Sequence, residues 1–424
     1  MSLGTQGIFN TAVQAMNAQS QHMSNISTNI ANVNTTAYKA QGSHFATLLN
    51  HVDPLSRSYF SVNTYDFRQV DRQGAIATTN RTFDVALNGR GFFITNQNTQ
   101  GLGEYQFTRD GAFFGESVDL GVDSDGNGQN DQGVLLKTST GGYVYGWAAD
   151  ANGVVSPAND ITTLQPIMFN NNSIFESSAT TNIQLQANLS AANTGRQSVG
   201  LPFVDATGAS RTLGVGFTAN LDSSWTLDME AIGVDTSKIP VDFFPPTIAF
   251  DGKGGIVDPS DGKIEATIHD PAGDQTVTVD LKKLTQLADN GTLTVQNIQQ
   301  DGYIMGRLNN TYFDNTGMLI GSYSNGQMRN LYQLATARFT AENNLEAKSG
   351  NLFERTVAAG DMEISAIGSQ MGRTQLVIGA LEHSNVDLAD QFSKLIVTQR
   401  AYTSSATVLR TADEMTMAAR DLKR

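Results

Sequence analysis

Residues 8–36 read IFNTAVQAMNAQSQHMSNISTNIANVNTT and residues 388–409 read LADQFSKLIVTQRAYTSSATVL, and neither stretch contains Gly or Pro. In the first, Phe9, Val13, Met16, Met23, Ile26, Ile30 and Val33 recur mostly at three- and four-residue spacing. In the second, Leu388, Phe392, Leu395, Tyr402, Ala406 and Leu409 form one stripe. Gln399 fills the missing step, and Met415 and Leu422 continue the line after a phase shift. Both patterns predict amphipathic helices. All nine prolines fall between Pro54 and Pro271, and the clearest alternating strands lie there or shortly beyond. The fold class expected is therefore mixed α and β: terminal helices forming a coiled-coil-like inner layer, with two nested all-β domains outward. Stripes about 350 residues apart can be covered only by each other or by other copies of the chain, which predicts assembly.

Charge separates the same regions. The first formally charged side chain is Lys39, and residues 385–424 carry five acids and six bases, a net of +1, which leaves −15 on residues 39–384 of a chain at −14. Neutral ends can lie side by side, while an acidic body disfavours nucleic acid as a partner. Residues 1–38 lack the basic start, apolar run and cleavage site of a secretory signal peptide. Gln14, Asn17, Gln19, Gln21, Asn25, Asn29 and Asn32 interrupt any membrane-spanning run, so no membrane insertion is expected. Eleven of the twenty residues from Asn17 to Thr36 are Ser, Thr or Asn, which weaken an isolated helix. At the other end, Ser384-Asn385-Val386-Asp387 has the form of a capping box.

The pattern between the ends predicts nested segments. Residues 1–33 and 385–424 are the helical inner domain, and 34–72 with 360–384 the connector. Residues 73–147 with 300–359 form a first β domain, and 148–299 an inserted second one. Phe83–Leu87, the turn Asn88-Gly89 and Gly91–Thr95 predict a hairpin. Ile183–Leu189, Trp225–Met229 and Thr276–Val279 alternate as strands, whereas Asp280 with Leu281, Leu284, Leu287 and Gly291 predicts a short helix.

No enzyme signature is present. The chain has no cysteine, its five His are scattered, and there is no nucleophile elbow, phosphate loop or His-Glu zinc helix. Asp251-Gly252-Lys253-Gly254-Gly255 reads as a turn. Asp123, Asp125, Asn127 and Asp131 occupy ligand positions of a calcium loop, but Val134 stands where the bidentate Glu belongs. A solvated turn is the simpler reading, and neither a metal nor a cofactor is expected.

Four motifs in order carry a family resemblance. Asn29-Ile30-Ala31-Asn32-Val33-Asn34-Thr35-Thr36-Ala37-Tyr38-Lys39 resembles the amino-terminal signature of bacterial flagellar rod and hook proteins. Asn385-Val386-Asp387-Leu388 with Gln399-Arg400-Ala401-Tyr402 resembles their carboxy-terminal one. Leu87–Phe93 and Phe107–Gly111 are similar to the family's first β domain, and Gly302–Asn325 with Gly350–Phe353 to the return half of its hook members. The sequence departs from the pattern at Ala37, where Gly is usual, at Ser405, where Asn is usual, and in a long stretch from Asp119 to Gln132.

The resemblance implies a non-enzymatic subunit of a curved flexible tube that joins rod to filament and transmits torque as a universal joint. It also implies export without a cleaved signal peptide to an extracellular flagellum. The implied partners are other copies of the chain, a distal rod protein, a hook-filament junction protein, a hook cap and the export apparatus. A distal rod subunit is the alternative within the family, although it has no need of residues 148–299. Outside it stands a calcium-dependent β-domain surface adhesin, which leaves both helical ends unused.

Overall fold

The computed structural model describes residues 3–49, 60–121, 130, 132–193, 195–222, 224–232, 238–270, 273–288, 291–368 and 374–421. The chain divides into two compact units, one of residues 1–171, 310–321 and 328–424, the other of residues 172–309 and 322–327. The expected insertion limits of 148 and 299 therefore move to 172 and 309. Backbone pairing explains the entry point: Gln165–Pro166 and Met168–Asn170 hydrogen-bond to Tyr143–Ala148 and Gln132–Thr138 of the first unit.

In the first unit, helix α1 (Leu3–Ala31) and helix α2 (Leu388–Asp421) pack on each other. What was expected to be a polar connector is ordered as strands β1 (Gln41–Leu49) and β2 (Phe60–Arg68), an antiparallel pair running from Gln41↔Arg68 to Leu49↔Phe60. α1 lies on this pair. Helix α2 is capped by Asp387 and not by Ser384: Asp387 Oδ1 accepts from Ala389 N at 2.8 Å and Asp390 N at 3.2 Å. The cap thus sits three residues later than the sequence pattern suggested, which releases Asn385 from the helix.

The rest of this unit is β. Phe92–Asn96 pairs with Tyr105–Thr108, Tyr143–Ala148 and Met328–Phe339 around a core of Phe92, Ile94, Phe107, Tyr145, Trp147, Phe339 and Phe353. The Asn88-Gly89 hairpin does not form. Val85–Asn88 pairs instead with Gln375–Ile378, a strand from the far end of the chain. Gly89 and Gly91, at φ 118° and 124°, redirect the backbone between two strands that have other partners.

The second unit has two β-sheets and a core including Leu185, Leu201, Phe217, Trp225, Ile264 and Val279. The predicted helix at 280–291 is a correction: Gly273–Leu287 is one strand, parallel to Asn182–Ser190. Leu281 and Leu284 are both fully buried although three apart, which on a regular strand puts them on opposite faces. The register shift between Gln184↔Asp280 and Gln186↔Lys283 adds a residue and restores the inward phase. A bulge thus reproduces helical spacing.

Asp301 ties this unit's entry to its exit. Its carboxylate accepts from Thr181 N (2.8 Å), Thr181 Oγ1 (2.6 Å), Asn182 N (3.0 Å) and Asn182 Nδ2 (3.1 Å). Burial alone raises its pKa, but these donors outweigh burial and lower it to about 2. A depressed carboxylate stabilises the fold above its unfolded pKa and loses that contribution as pH falls through the folded one. Asp301→Asn should therefore lower the melting temperature of the second unit at pH 7 and flatten its decline between about pH 4 and 2. Calorimetry at stepped pH checks this, and an unchanged slope contradicts it.

Candidate functional site

The two terminal signatures meet at one buried polar joint. Lys39 and Glu382 are 343 residues apart, yet Lys39 Nζ lies 2.7 Å from Glu382 Oε1 with both side chains at 0% exposure. Lys39 Nζ also donates to Arg72 O at 2.7 Å, and Gly74 N donates to Glu382 Oε1 at 2.9 Å. The other carboxylate oxygen faces Arg109 Nη1 at 3.5 Å, and the Arg109 guanidinium lies 5.3 Å from the Phe92 ring centroid. Burial pushes the Lys39 ammonium below its ordinary pKa, and the Glu382 carboxylate opposes that shift. Arg109 is lowered in the same way. One carboxylate therefore serves two buried cations from separate segments.

Amide side chains complete the joint. Asn29 Oδ1 accepts from Gln41 N (2.8 Å) and Tyr38 OH (3.1 Å), while its Nδ2 donates to Gln41 O (2.8 Å) and Gln391 Oε1 (3.0 Å). Asn385 Oδ1 accepts from Ala40 N at 2.7 Å, and its Nδ2 donates to Gln69 O and Arg72 O at 3.0 and 2.9 Å. These hydrogen-bonded amides, Asn29 buried and Asn385 half-buried, bridge α1, the hairpin and the start of α2. Asn32 and Thr35 bond only locally, Thr35 Oγ1 donating to Asn32 Oδ1 at 3.1 Å. Asn34 is exposed, and Thr36 gives its carbonyl to Asn351 Nδ2 at 2.7 Å. Val386 N donates to Ser384 Oγ at 3.3 Å, and Gln399 and Arg400 are exposed on α2. Ala37 is fully buried at φ 57°, a left-handed conformation that explains why glycine is usual at this position of the signature.

The structure divides the expected apolar stripes. On α1, Ile26 is buried, Phe9, Met16, Met23 and Ile30 are half-buried and Val13 is exposed; Val33, in the turn after the helix, is half-buried. The most covered positions are instead Ala12, Ala18, Asn25, Ile26 and Asn29. On α2, Gln391, Leu395, Thr398, Tyr402, Ser405, Leu409, Ala412 and Thr416 form the covered line at alternating four and three spacing. Leu395, Tyr402 and Leu409 were foreseen, but Leu388 and Phe392 are exposed and Gln391 and Thr398 take their place. Apolar periodicity missed these small and amide residues, whose signal was a run of Asn on a helix that needs partners for them. Leu422 and the loop residues Asp123, Asp125, Asn127 and Asp131 lie outside the described residues.

Comparison with known proteins starts from these same ends. Residues 9–39 match the family model "Flagella basal body rod protein" and residues 378–422 match "Flagellar basal body rod FlgEFG protein C-terminal". The Flagellar hook protein FlgE of Rhizobium meliloti (strain 1021) is 30% identical over 434 residues, covering 99% of both chains. The chain belongs to the flagellar hook protein family. Similar hook proteins include that of Treponema pallidum, 28% identical over 480 residues, covering 98% of this chain and 99% of its own. That of Salmonella typhimurium is 27% identical over 427 residues, covering 96% and 98%. Among solved structures, Helicobacter pylori flagellar hook protein FlgE2 aligns with TM-score 0.46 and 13% identity, over 71% of this chain and 98% of that one. Members of this family are structural subunits of the flagellum and not enzymes, and they polymerise with copies of themselves.

Two substitutions test the hook-family joint. Glu382→Gln removes the shared counter-charge from Lys39 and Arg109, and should cost about 3–5 kcal/mol of stability in the first unit. Ala37→Gly should act oppositely: it removes about 1–2 kcal/mol of left-handed strain and gives back less than about 1 through a freer unfolded chain. Denaturant unfolding of the two variants checks both signs.

Proposed function

We propose that this chain is the subunit of a curved, flexible tube that acts as a universal joint, transmitting torque from the flagellar rod to the filament. The observation that carries the reading is the distribution of apolar side chains left uncovered on α2. At 3.6 residues per turn, Leu388, Phe392 and Ile396 run along one flank of the seam facing α1, and Val397, Val408 and Met415 along the other. All six are exposed, at 40% or more of their surface. Burying a Leu- or Val-sized side chain is worth about 1.5–3 kcal/mol, so two such flanks favour contact with a neighbour on each side. A helix with neighbours on both sides is the element of a tube wall.

The seam takes Leu395, Tyr402 and Leu409 of α2 among small and polar residues, and leaves that helix's other large apolar side chains uncovered. Those remain for the polymer. The foreseen positions Phe9, Val13, Met16, Met23 and Ile30 on α1 and Val33 in the turn after it, half-buried or exposed, belong to the same assembly surface. The family relationship supports a distal rod protein below the tube, a hook-filament junction protein and a cap above it, and delivery by the flagellar export apparatus without a cleaved signal peptide.

Ile396→Asp and Val408→Asp, one on each flank, test the tube. Each replaces an exposed side chain, so the monomer's melting temperature should stay within the small change typical of surface substitutions, about 0.5 kcal/mol. Each should abolish tubes in electron micrographs, because an unpaired charge is then forced into an interface. Tubes at normal yield from both variants contradict the reading.

A further inference from the structure

Among the described residues the two sheets of the second unit have five end strands, and four of them are blunted: Lys238–Ile239 is two residues long and runs into Pro240. Gln197–Val204 carries Pro202. Ile256–Asp258 is three residues long and runs into Pro259. Val241–Phe244 is four residues long and bounded by Pro240 and Pro245. These are the ordinary devices by which a sheet avoids edge-to-edge pairing.

Thr294–Gln300 has none of them. It is a seven-residue strand, TVQNIQQ, paired on one side only, antiparallel to Asn182–Ser190. It contains no proline and no charge, and the uncharged run extends from Gly291 to Gln300. Every residue of the strand is exposed except Ile298, which is half-buried. The outward-facing N–H and C=O groups of such an edge are a template for another strand. The flanking acid is already engaged, since Asp301 holds four hydrogen bonds from Thr181 and Asn182.

We infer that Thr294–Gln300 is a docking edge for an extended segment of a second copy of this chain. The inference rests on the tube reading above. Its independent support is electrostatic: copies that each carry a formal −14 repel one another, so contact between them is least costly where charge is absent, and this strand is such a place. Main-chain pairing along seven residues is also a small contact, formed and released without repacking a core.

Hydrogen exchange of the full-length protein as monomer and as assembled tube decides the matter. Alternate amides of 295–300 face away from the pairing strand and should exchange freely in the monomer. In the tube they should slow by about tenfold or more, together with α2. Gln296→Lys with Gln299→Lys should remove that slowing while leaving the monomer's melting temperature unchanged. Slowing of α2 without any change at 294–300 overturns the docking edge and leaves the tube reading standing. Slowing at 294–300 without α2 upholds the edge and overturns the tube reading. Slowing at 294–300 that requires an added foreign protein, and is absent from tubes of the pure chain, overturns the second copy as occupant.

Discussion

The joint between the two ends of the chain depends on one buried carboxylate. Glu382 lies just before α2 and meets Lys39, just after α1, and Arg109 from the β body, all with side chains at 1% exposure or less. Two cations on one anion is a costly arrangement to bury, and it is tolerated because backbone groups at Gly74, Arg72 and Leu87 share the load. The return is positional. A charged pair with so many fixed partners admits one geometry, so the N-terminal helix, the hairpin and the C-terminal helix emerge from the β body in a set register.

The helices themselves are built to be incomplete. The covered line of α2 mixes Leu395, Tyr402 and Leu409 with Thr398 and Ala412, and Asn29 and Gln391 are joined by a hydrogen bond, so polar contacts add orientation to apolar burial. Phe392, Ile396 and Val397 remain exposed beside it. A monomeric protein gains by turning such side chains inward. In a family that polymerises, exposed side chains of this kind suit contact between copies, and residues 1–38 carry no formal charge to oppose it.

Several sequence expectations failed for reasons specific to tertiary structure. The Asn88-Gly89 turn was sound local chemistry, but Val85–Asn88 found a better partner at Gln375–Ile378, beyond the reach of any local rule. Leu281 and Leu284 gave a helical period because a bulge changes the phase of a strand. The polar stretch after residue 34 concealed a hairpin. In the first two cases a pairing partner distant in sequence overrode a short-range signal.

The sequence by itself determined the two terminal helices, the β-rich middle, the separation of charge and the kinship of the ends with flagellar rod and hook proteins. Periodicity, proline placement and composition are local properties, and they are written in the order of residues. Only the tertiary structure decided that Lys39 and Glu382 are partners, that Asn29 is a joint-former and not only a helix-weakener, that Asn385 belongs to the same joint, and which side of α2 stays uncovered. These depend on residues hundreds of positions apart being brought within hydrogen-bonding distance. No spacing rule along the chain encodes that, because what selects the partners is the burial of a charge that must find its counter-ion.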